Sequence, residues 1–266
     1  MGLPSPATSV ITGAGSGFGR ALALELARRG GRLVLGDVIP ETALETAQLA
    51  RAEGAAHVRA MSCDVTSLGD VEALAGACEG RVDLVVNNAG VSSAGNIGEL
   101  PPDDWRWTLD VDLNGVFHGC HVFVPLLRRQ GTGHILNVAS AAGFASAPGM
   151  GAYNVAKAGV IALSETLAAE LHGTAIGVTV LCPTFFKTNI VASGRFADPK
   201  KRAAAAKLIA AGKTAEEVAR YALHSVEKGE LYSVPMADAR WLWRVKRASP
   251  ASFAALAARV AQRFNR

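Results

Sequence analysis

The sequence TGAGSGFG, residues 12–19, joins a β-rich run, Thr8–Thr12, to a helical pattern that begins at Gly17. Glycines allow the backbone amides of such a turn to approach a pyrophosphate group, and the N-terminus of the following helix adds about half a positive charge. No Gly-Lys-Ser/Thr follows, which excludes the phosphate-binding loop of an NTPase, and Phe18 occupies the third glycine of a GxGxxG pattern. The spacing matches TGxxxGxG instead. It predicts a pyrophosphate-binding turn, with an ordinary glycine-rich turn as the alternative.

Short β-rich runs alternate with longer helical patterns along most of the chain. The strand candidates are Thr8–Thr12, Arg32–Gly36, Ala55–Met61, Val82–Val86, His134–Ala139, Ile176–Leu181 and Leu231–Val234. The helix candidates are Gly17–Arg29, Glu41–Glu53, Leu68–Glu79, Asp103–Arg128, Met150–His172 and a last one opened by the capping box Thr214-Ala215-Glu216-Glu217. Right-handed crossovers place the helices of such βαβ units on both faces of a parallel sheet. We therefore predict an α/β fold, a doubly wound parallel sheet of about seven strands.

The composition limits the class of protein. The chain has 266 residues, of which 50% are hydrophobic and 19% charged, which favours one α/β domain with a large core and excludes disorder. The cysteines lie far apart without a CxxC pair, which argues against a disulfide framework or a thiolate zinc site: Cys63, Cys78, Cys120 and Cys182. The first residues match neither a signal peptide nor an acylation motif, and no apolar run is long enough to span a bilayer. A cytoplasmic, reducing location is expected.

Positive charge is concentrated near the C-terminal end. Residues 240–266 carry seven basic side chains and no acidic one, so that the rest of this chain of net charge +4 has a net charge of −3. Between Pro183 and Thr214 the sequence shows no clear strand. We therefore predict a single domain over residues 1–239, with a long loop at about 184–213, and a separate basic extension over residues 240–266.

Asp37 ends the second predicted strand, 18 residues after Gly19. An acidic side chain at this position accepts hydrogen bonds from the ribose of an adenine dinucleotide and repels a 2′-phosphate. The alternative is an ordinary turn residue before Pro40. Together with the glycine-rich turn, Asp37 predicts binding of NAD.

Tyr153 and Lys157 are four residues apart in a predicted helix and therefore project from the same face. A nearby cation favours a phenolate and lowers the pKa of the tyrosine hydroxyl from about 10, which makes it usable as an acid or base. Ser140 ends the preceding strand, and Asn88 and Gly90 follow another. Because parallel strands gather ligands at their carboxyl ends, we expect these residues to meet in one crevice. Alone, the Tyr–Lys spacing is more typical of a solvated helix face.

Together these residues resemble the short-chain dehydrogenase/reductase family in its compact, single-domain, Rossmann-like form, over the range Val10–Thr188. The positions that carry the resemblance are Thr12–Gly19 for the cofactor turn, Asp64-Val65 for an adenine contact, Asn87-Asn88-Ala89-Gly90 after the fourth strand, and Asn114, Ser140, Tyr153 and Lys157 for a catalytic tetrad. The resemblance implies an NAD(P)-dependent enzyme that acts on a CH–OH group.

The resemblance also implies a role for each residue. It places cofactor contacts at Gly13, Ser16, Gly17, Phe18, Gly19, Asp37, Asp64, Val65, Asn88, Ala89, Gly90, Tyr153, Lys157, Pro183 and Thr188. Tyr153 would give or take the hydroxyl proton, Ser140 would hydrogen-bond the developing alkoxide, and Lys157 would bind the nicotinamide ribose while lowering the phenol's pKa. Asn114 would hold a water molecule in the proton path. Thr184 replaces the glycine that is usual between Pro183 and Thr188.

The expected substrate-binding segments are apolar. They follow Gly90, span residues 141–151 and follow Pro183, and they offer Phe144, Met150, Phe185, Phe186, Ile190, Val191 and Phe196. An apolar lining without Arg or Lys beside Tyr153 favours a hydrophobic secondary alcohol or ketone over a small acid. The cations of the last segment leave a 3-oxoacyl thioester, or a lipid-like ketone at a membrane surface, as an alternative. A non-catalytic, dinucleotide-binding regulatory protein is a further one.

Two other patterns indicate structure more than ligand binding. His118 and His121 are three residues apart on a helix without a nearby carboxylate, which predicts a packed pair and no metal site. The run Lys200-Lys201-Arg202 lacks interleaved aromatic residues, which predicts a solvated segment and no contact with nucleic acid.

Helix surfaces predict two further contacts. The patterns Asp103–Arg128 and Met150–His172 have apolar residues around more than one face, and relatives in the family pair through these helices, so we expect a homodimer or homotetramer. After a helix start at Ser249-Pro250, apolar residues of the basic extension recur at helical spacing: Phe253, Leu256, Val260 and Phe264. This predicts an amphipathic helix docked on protein, with peripheral attachment to an anionic membrane as the alternative.

Overall fold

Nine strands form in the computed structural model, which describes residues 3–251, 253 and 255. They are β1 (Thr8–Thr12), β2 (Arg32–Asp37), β3 (His57–Ser62), β4 (Leu84–Asn87), β5 (Ser93–Ala94), β6 (Thr132–Val138), β7 (Ala175–Leu181), β8 (Arg195–Phe196) and β9 (Tyr232–Ser233). Seven of them form a parallel sheet in the order β3-β2-β1-β4-β6-β7-β9, and β5 pairs with β8 separately. The predicted doubly wound sheet is confirmed. Strands β2 and β3 lie on one side of β1, whereas β4 and the strands after it lie on the other side, so the strand order changes direction between β1 and β4. Such a switch point opens a crevice at the carboxyl ends of the strands.

Ten α-helices and one π-helical turn are present in the described part of the chain. They are α1 (Gly17–Ala27), α2 (Pro40–Ala52), α3 (Leu68–Gly76), α4 (Pro102–Leu109), the π turn (Asp110–Asn114), α5 (Gly115–Gln130), α6 (Ala142–Ala145), α7 (Gly151–Glu170), α8 (Pro199–Ala210), α9 (Ala215–Lys228) and α10 (Ala237–Ala248). Helix α1 packs against α9, and α3 packs against α5. The helices therefore cover the apolar strands, of which β1 is buried at every residue.

Capping residues fix where several helices begin. The Thr214 hydroxyl accepts a hydrogen bond from the Glu217 amide, and the Glu217 carboxylate accepts one from the Thr214 amide, as the predicted capping box requires. Ser67 caps α3 in the same way through the Asp70 amide. Side-chain acceptors satisfy amides that have no partner inside the helix.

The helix predicted over Asp103–Arg128 is interrupted in the structure. Helix α4 ends at Leu109, the π turn follows, and α5 continues from Gly115. A π turn inserts one residue into the helical repeat and rotates the side chains that follow it. The apolar periodicity on either side of the π turn does not reveal this insertion.

The loop predicted at about 184–213 contains regular structure. Strand β8 pairs with β5, and α8 begins at Pro199 after Asp198, whose carboxylate accepts the Lys200 amide at 2.8 Å. Helix α8 has no buried residue, so its sequence lacks the apolar periodicity that indicates most helices. The Asp-Pro pair is the start signal that identifies it.

Residues 237–248, at the start of the predicted basic extension, pack on the domain. Ala239 is buried, the Trp243 ring lies 4.9 Å from the Tyr232 ring, and the Lys246 ammonium donates to the Ser146 hydroxyl at 3.2 Å. The boundary predicted at residue 239 therefore falls inside α10. Phe253 is also buried, under the Lys246 ammonium. The remaining apolar positions of the predicted amphipathic helix lie outside the described residues: Leu256, Val260 and Phe264.

No helix in the described ranges is both long enough and apolar enough to cross a bilayer. The four cysteines are buried, free thiols.

A buried histidine links the two strands at the centre of the C-terminal half of the sheet. His134 on β6 places Nε2 2.8 Å from the Thr179 hydroxyl on β7, and that hydroxyl donates to the Glu230 carbonyl at 2.7 Å. Because the hydroxyl has one proton, His134 must donate from Nε2. A Cβ at Gly177 would lie 2.2 Å from His134 Nδ1, so only glycine fits there. Burial lowers the pKa of His134 to about 4.

We expect His134 to make the free energy of unfolding depend on pH. Between about pH 6.5 and about pH 4 the unfolded chain binds a proton that the folded chain does not, so stability is lost as the pH falls through this range. The contribution amounts to about 3 kcal/mol. His134→Gln keeps a donor at the end of the side chain and cannot titrate, so its stability should fall less over the same range.

Urea unfolding of both proteins at several pH values measures this difference. His57→Gln, on the exposed position of β3, is the matched control and should follow the native protein. Parallel stability curves for the native protein and His134→Gln would contradict the assignment.

Candidate active site

The glycine-rich turn is held against the end of β4 by side chains. The Thr12 hydroxyl accepts the amides of Asn88 and Ala89 at 3.0 and 3.1 Å. The Asn88 side-chain amide donates to the carbonyls of Thr12 and Gly13 at 2.8 and 2.9 Å. The Asn88 side chain therefore positions the turn, while the backbone from Ala89 to Gly90 borders the crevice.

Two glycines of the turn have no room for a side chain. Gly13 has a φ of +63°, and a Cβ there would lie 2.7 Å from the Ala89 Cα atom. A Cβ at Gly19 would lie 2.2 Å from the Gly13 carbonyl oxygen. Such close backbone packing leaves the N-terminus of α1 unobstructed. Ser16 precedes this helix with an extended backbone, is exposed and does not cap it with its side chain. The cradle fits a pyrophosphate group.

Phe18 and Thr188 connect the turn to the segment after β7. Phe18 is buried and its ring packs edge-on against Phe186, with 6.0 Å between ring centroids. Thr188 lies beside Gly17, since a Cβ on Gly17 would be 3.5 Å from the Thr188 Cβ. The segment that the sequence predicts at the nicotinamide thus closes over the start of α1.

Asp37 lies at the end of β2, against the same turn. Its Oδ2 atom accepts the Gly15 amide at 2.7 Å and its Oδ1 atom accepts the Ile39 amide at 3.0 Å. Both bonds fix the orientation of a half-buried carboxylate at the rim of the crevice. A carboxylate in this position can accept ribose hydroxyls and repels a phosphate.

Asp64 and Val65 follow β3 at the next strand end. Asp64 is exposed, and its carboxylate accepts the amide and the hydroxyl of Thr66. Val65 is buried, and its carbonyl lies 2.8 Å from Nδ1 of His118. Through this bond His118 packs against the segment after β3. His118 and His121 both lie against the ring of Phe117.

Three of the four predicted catalytic residues meet at the carboxyl edge of the sheet. The Lys157 ammonium lies 5.6 Å from the centre of the Tyr153 ring and donates to the Val138 carbonyl at 3.2 Å. The Ser140 hydroxyl interacts with the Tyr153 phenol and lies 3.4 Å from the Pro183 carbonyl. Ser140 Oγ also accepts the Ala142 amide, which fixes its position at the start of α6.

Asn114 does not join this group. It is exposed, and its side-chain amide donates to the Asp110 carboxylate at 2.9 Å, so the predicted role in the proton path is wrong on geometry. Asp112, two residues earlier, occupies the inner face of the π turn and is fully buried. Its Oδ2 atom lies 3.5 Å from the Lys157 ammonium, and its Oδ1 atom accepts the Val91 amide at 2.7 Å.

The sequence contains one signal for Asp112. It is a single acidic residue between two apolar ones, Val111 and Leu113, in a helix that otherwise packs on the core. An acidic residue at such a position needs a buried partner of opposite charge.

The Tyr153 phenol differs from the expectation that Lys157 lowers its pKa. Burial raises the pKa of Tyr153 and the negative charge of Asp112 raises it further, while the interaction with Ser140 lowers it. The Lys157 ammonium, which the sequence predicts to lower this pKa, is paired with the Asp112 carboxylate at 3.5 Å.

Thr184 stands where the family usually has a glycine, and its backbone is not left-handed. Among the non-glycine residues of the described ranges, only Glu79 and Ser146 have a positive φ. Its hydroxyl donates to the Asp238 carboxylate of α10 at 3.4 Å. Pro183, just before it, is buried and its carbonyl accepts the Ala141 amide. Helix α10 therefore supports the segment between Pro183 and Thr188.

Two of the residues expected to contact substrate serve other purposes. Phe186 packs on Phe18, and Phe144 is buried on the side of α6 that faces α10. The segment from Ile190 to Phe196 is fixed beside the residues after Gly90, because Ser92 donates to the Ile190 carbonyl and β8 pairs with β5. Met150 forms an isolated bridge with Gly95 at the same place.

Metal-binding geometry is absent from the described residues, where no group of three His, Cys, Asp or Glu side chains could hold an ion. Lys201 pairs with Glu99, and Arg202 donates to the Ala192 carbonyl, so the two last cations of the basic run Lys200-Lys201-Arg202 have contacts within this chain.

Comparison with known proteins places this site in a family. A family model described as short chain dehydrogenase matches residues 7–198. Over 194 residues the chain is 40% identical to "Probable oxidoreductase EphD" of Mycobacterium tuberculosis. That match covers 71% of this chain and 32% of the relative, so the chain spans about a third of the relative's length.

Two solved structures extend the likeness to the whole fold. A short chain dehydrogenase/reductase from Burkholderia phymatum in complex with NAD superposes with a TM-score of 0.88 at 34% identity, covering 93% of this chain and 95% of that one. A short-chain dehydrogenase from Sphingobium yanoikuyae in complex with NADPH gives 0.76 at 28% identity, covering 88% and 91%. With its parallel sheet, glycine-rich turn and Ser140–Tyr153–Lys157 group, this chain belongs to the short-chain dehydrogenase/reductase family of oxidoreductases.

Proposed function

We propose that this protein transfers a hydride between NAD(H) and a hydrophobic secondary alcohol or ketone, with Tyr153 as the acid or base. The observation that carries the proposal is the position of Tyr153, Lys157 and Ser140 at the same sheet edge as the glycine-rich turn. Proton transfer and dinucleotide binding are thereby brought to one crevice.

The proposed cofactor contacts come from the ends of five strands, β1, β2, β3, β4 and β7, and from helix α7. The amides around Ser16 and Gly17, at the start of α1, would hold the pyrophosphate group, and Asp37 would hold the adenosine ribose. The remaining contacts border the adenine and nicotinamide ends: Gly13, Phe18, Gly19, Asp64, Val65, Asn88, Ala89, Gly90, Tyr153, Lys157, Pro183 and Thr188.

In the proposed reaction the cofactor supplies the hydride chemistry, and the protein supplies the proton transfer and the hydrogen bonds to the substrate. When bound, the nicotinamide ring accepts or supplies the hydride. Tyr153 holds the proton at its phenol oxygen and exchanges it with the substrate oxygen. Ser140, whose hydroxyl lies 3.4 Å from the Pro183 carbonyl, would donate its proton in a hydrogen bond to the developing alkoxide, and Lys157 would bind the nicotinamide ribose beside Tyr153. Lys157 is buried, whereas Tyr153 and Ser140 are partly exposed and can reach a substrate in the crevice.

Asp37 supports NAD over NADP. Its carboxylate is fixed by two backbone amides and cannot turn away from a 2′-phosphate without losing them. Ser16 supplies no positive charge at the opposite side of the turn. A phosphate here would lie next to an uncompensated carboxylate, and like charges in contact cost several kcal/mol.

The proposed substrate class rests on the apolar residues of the segments that follow Gly90 and Pro183 and precede α7. Met150, Ile190, Val191 and Phe196 border the segments that the β5–β8 pair joins, whereas Phe185 is 45% exposed. The Lys201 ammonium is paired with the Glu99 carboxylate, so one of the positive charges that could bind an acyl thioester is already neutralised. The lining therefore supports an apolar alcohol or ketone.

Replacing Tyr153 by Phe should abolish turnover and leave NADH binding unchanged. The substitution removes the proton donor and none of the pyrophosphate or adenosine contacts, so kcat should fall about 10²- to 10⁴-fold. Steady-state assays with a panel of hydrophobic secondary alcohols and ketones, together with NADH titration by fluorescence, measure both effects. Tyr221→Phe, on the outer surface of α9, is the control. Near-native turnover of Tyr153→Phe would assign the proton transfer to another group.

Asp37→Asn should narrow the preference for NAD. The amide keeps an oxygen for the Gly15 amide and loses the charge, so the ratio of kcat/KM for NAD over NADP should fall about 10- to 100-fold. Glu41→Gln, an exposed acid at the start of α2, should leave the ratio unchanged. A native enzyme with a higher kcat/KM for NADP than for NAD would disprove the assignment of the cofactor.

A homodimer or homotetramer that pairs through α5 and α7 is part of the proposal. Phe117 on α5 and Val155 on α7 are large apolar side chains that remain 47% and 50% exposed. Burial of such side chains at an interface is favourable by about 1.5–3 kcal/mol each. Phe117→Glu should convert the oligomer to monomer in light scattering, whereas Leu208→Glu on α8 should not. A native protein that is monomeric at all concentrations would refute this.

A further inference from the structure

Asp112 is a buried carboxylate that joins three elements around the catalytic lysine. Its side chain is 0% exposed and that of Lys157 is 3% exposed, and their charged atoms lie 3.5 Å apart. Oδ1 accepts the Val91 amide from the segment after β4, and Lys157 also donates to Val138 at the end of β6. The π turn, the β4 segment and α7 therefore meet at one ion pair.

The space around this pair is filled by backbone. A Cβ at Gly90 would lie 3.2 Å from Asp112 Oδ1 and 3.5 Å from Lys157 Nζ. A buried ion pair is stable only when both charges have partners, and removing one partner leaves an uncompensated charge. Lys157 is therefore held by the Asp112 carboxylate at 3.5 Å and the Val138 carbonyl at 3.2 Å, and a neutral side chain at position 112 would leave its ammonium on the Val138 carbonyl.

We propose that Asp112 is a positioning residue for the proposed reaction: through their ion pair it fixes the Lys157 ammonium beside Tyr153 and offsets part of the positive charge there. The inference rests on the proposed function only in linking this pair to catalysis. The contacts themselves do not depend on it.

The charged and titratable groups around Tyr153 are few. Asp112 faces it from the π turn, Lys157 from its own helix and Ser140 from the end of β6. The Cys182 thiol lies near Lys157 at the end of β7, and burial raises its pKa to about 12, so it stays neutral at working pH. Burial raises the pKa of Asp112, while Lys157 and the Val91 amide lower it, and the negative charge that this ion pair stabilises on Asp112 raises the pKa of Tyr153. Removing this charge must therefore favour the phenolate.

Asp112→Asn tests this inference, because it removes the charge and keeps the shape. In alcohol oxidation the phenolate is the base, so the pH at which kcat/KM is half-maximal should move down by about one unit. Asp110→Asn is the matched control, since Asp110 is an exposed carboxylate in the same π turn. It should show the native profile. Asp112→Ser removes the same charge and should give the same shift if the Asn variant does not fold.

A second measurement is independent of activity. The chain has three tyrosines, so the ultraviolet absorbance change of Tyr153 ionisation follows from subtracting the titration of Tyr153→Phe. Tyr153 should ionise at lower pH in Asp112→Asn than in Asp110→Asn. If no alcohol is oxidised by the native protein, the proposed function fails, while this titration still decides the role of Asp112. An unchanged or higher midpoint in both neutral variants would overturn the inference.

Discussion

The contact between the end of β1 and the end of β4 is the constraint on which the site depends. Five hydrogen bonds cross the switch point, three through the Thr12 hydroxyl and two through the Asn88 side-chain amide. They hold the glycine-rich turn so close to β4 that no side chain fits at Gly13. The start of α1, the rim at Asp37 and the backbone at Gly90 all take their positions from this contact. Disrupting it would displace the dinucleotide cradle and the catalytic edge together.

The sequence was sufficient to predict the seven-stranded sheet because its central strands are buried on both faces. Strands β1 and β4 are buried at every residue, and no alternation of exposed residues obscures them. The glycine-rich turn, Asp37 and the Ser140–Tyr153–Lys157 group were also predictable, because each lies at a strand end or at helical spacing. Fixed spacing along a strand or helix determines which side chains lie on the same face or at the same edge, so these meetings can be predicted from the sequence alone.

Asp112 and α8 could not be predicted in this way. The π turn rotates the residues after Leu109, so that Asp112 points to Lys157 and Asn114 points outward to Asp110. This rotation is set by packing of α4 and α7 against the turn and not by a local pattern. Helix α8 buries no side chain, so the sequence indicates it only through the helix-start pair Asp198-Pro199. Neither feature is visible in the apolar periodicity of the sequence: tertiary contacts determine the rotation at Asp112, and α8 lacks the tertiary contacts that produce such periodicity.

The exposure of α8 has a consequence for local stability. A helix that buries no side chain gains little free energy from the hydrophobic effect, so the equilibrium for its detachment is governed by a few surface contacts. These include the Lys201–Glu99 ion pair and the hydrogen bond from Arg202 to Ala192. The central sheet, by contrast, opens only with the unfolding of the whole domain. Detachment of α8 would therefore leave intact the hydrogen bonds that hold the glycine-rich turn against β4, because none of them involves α8.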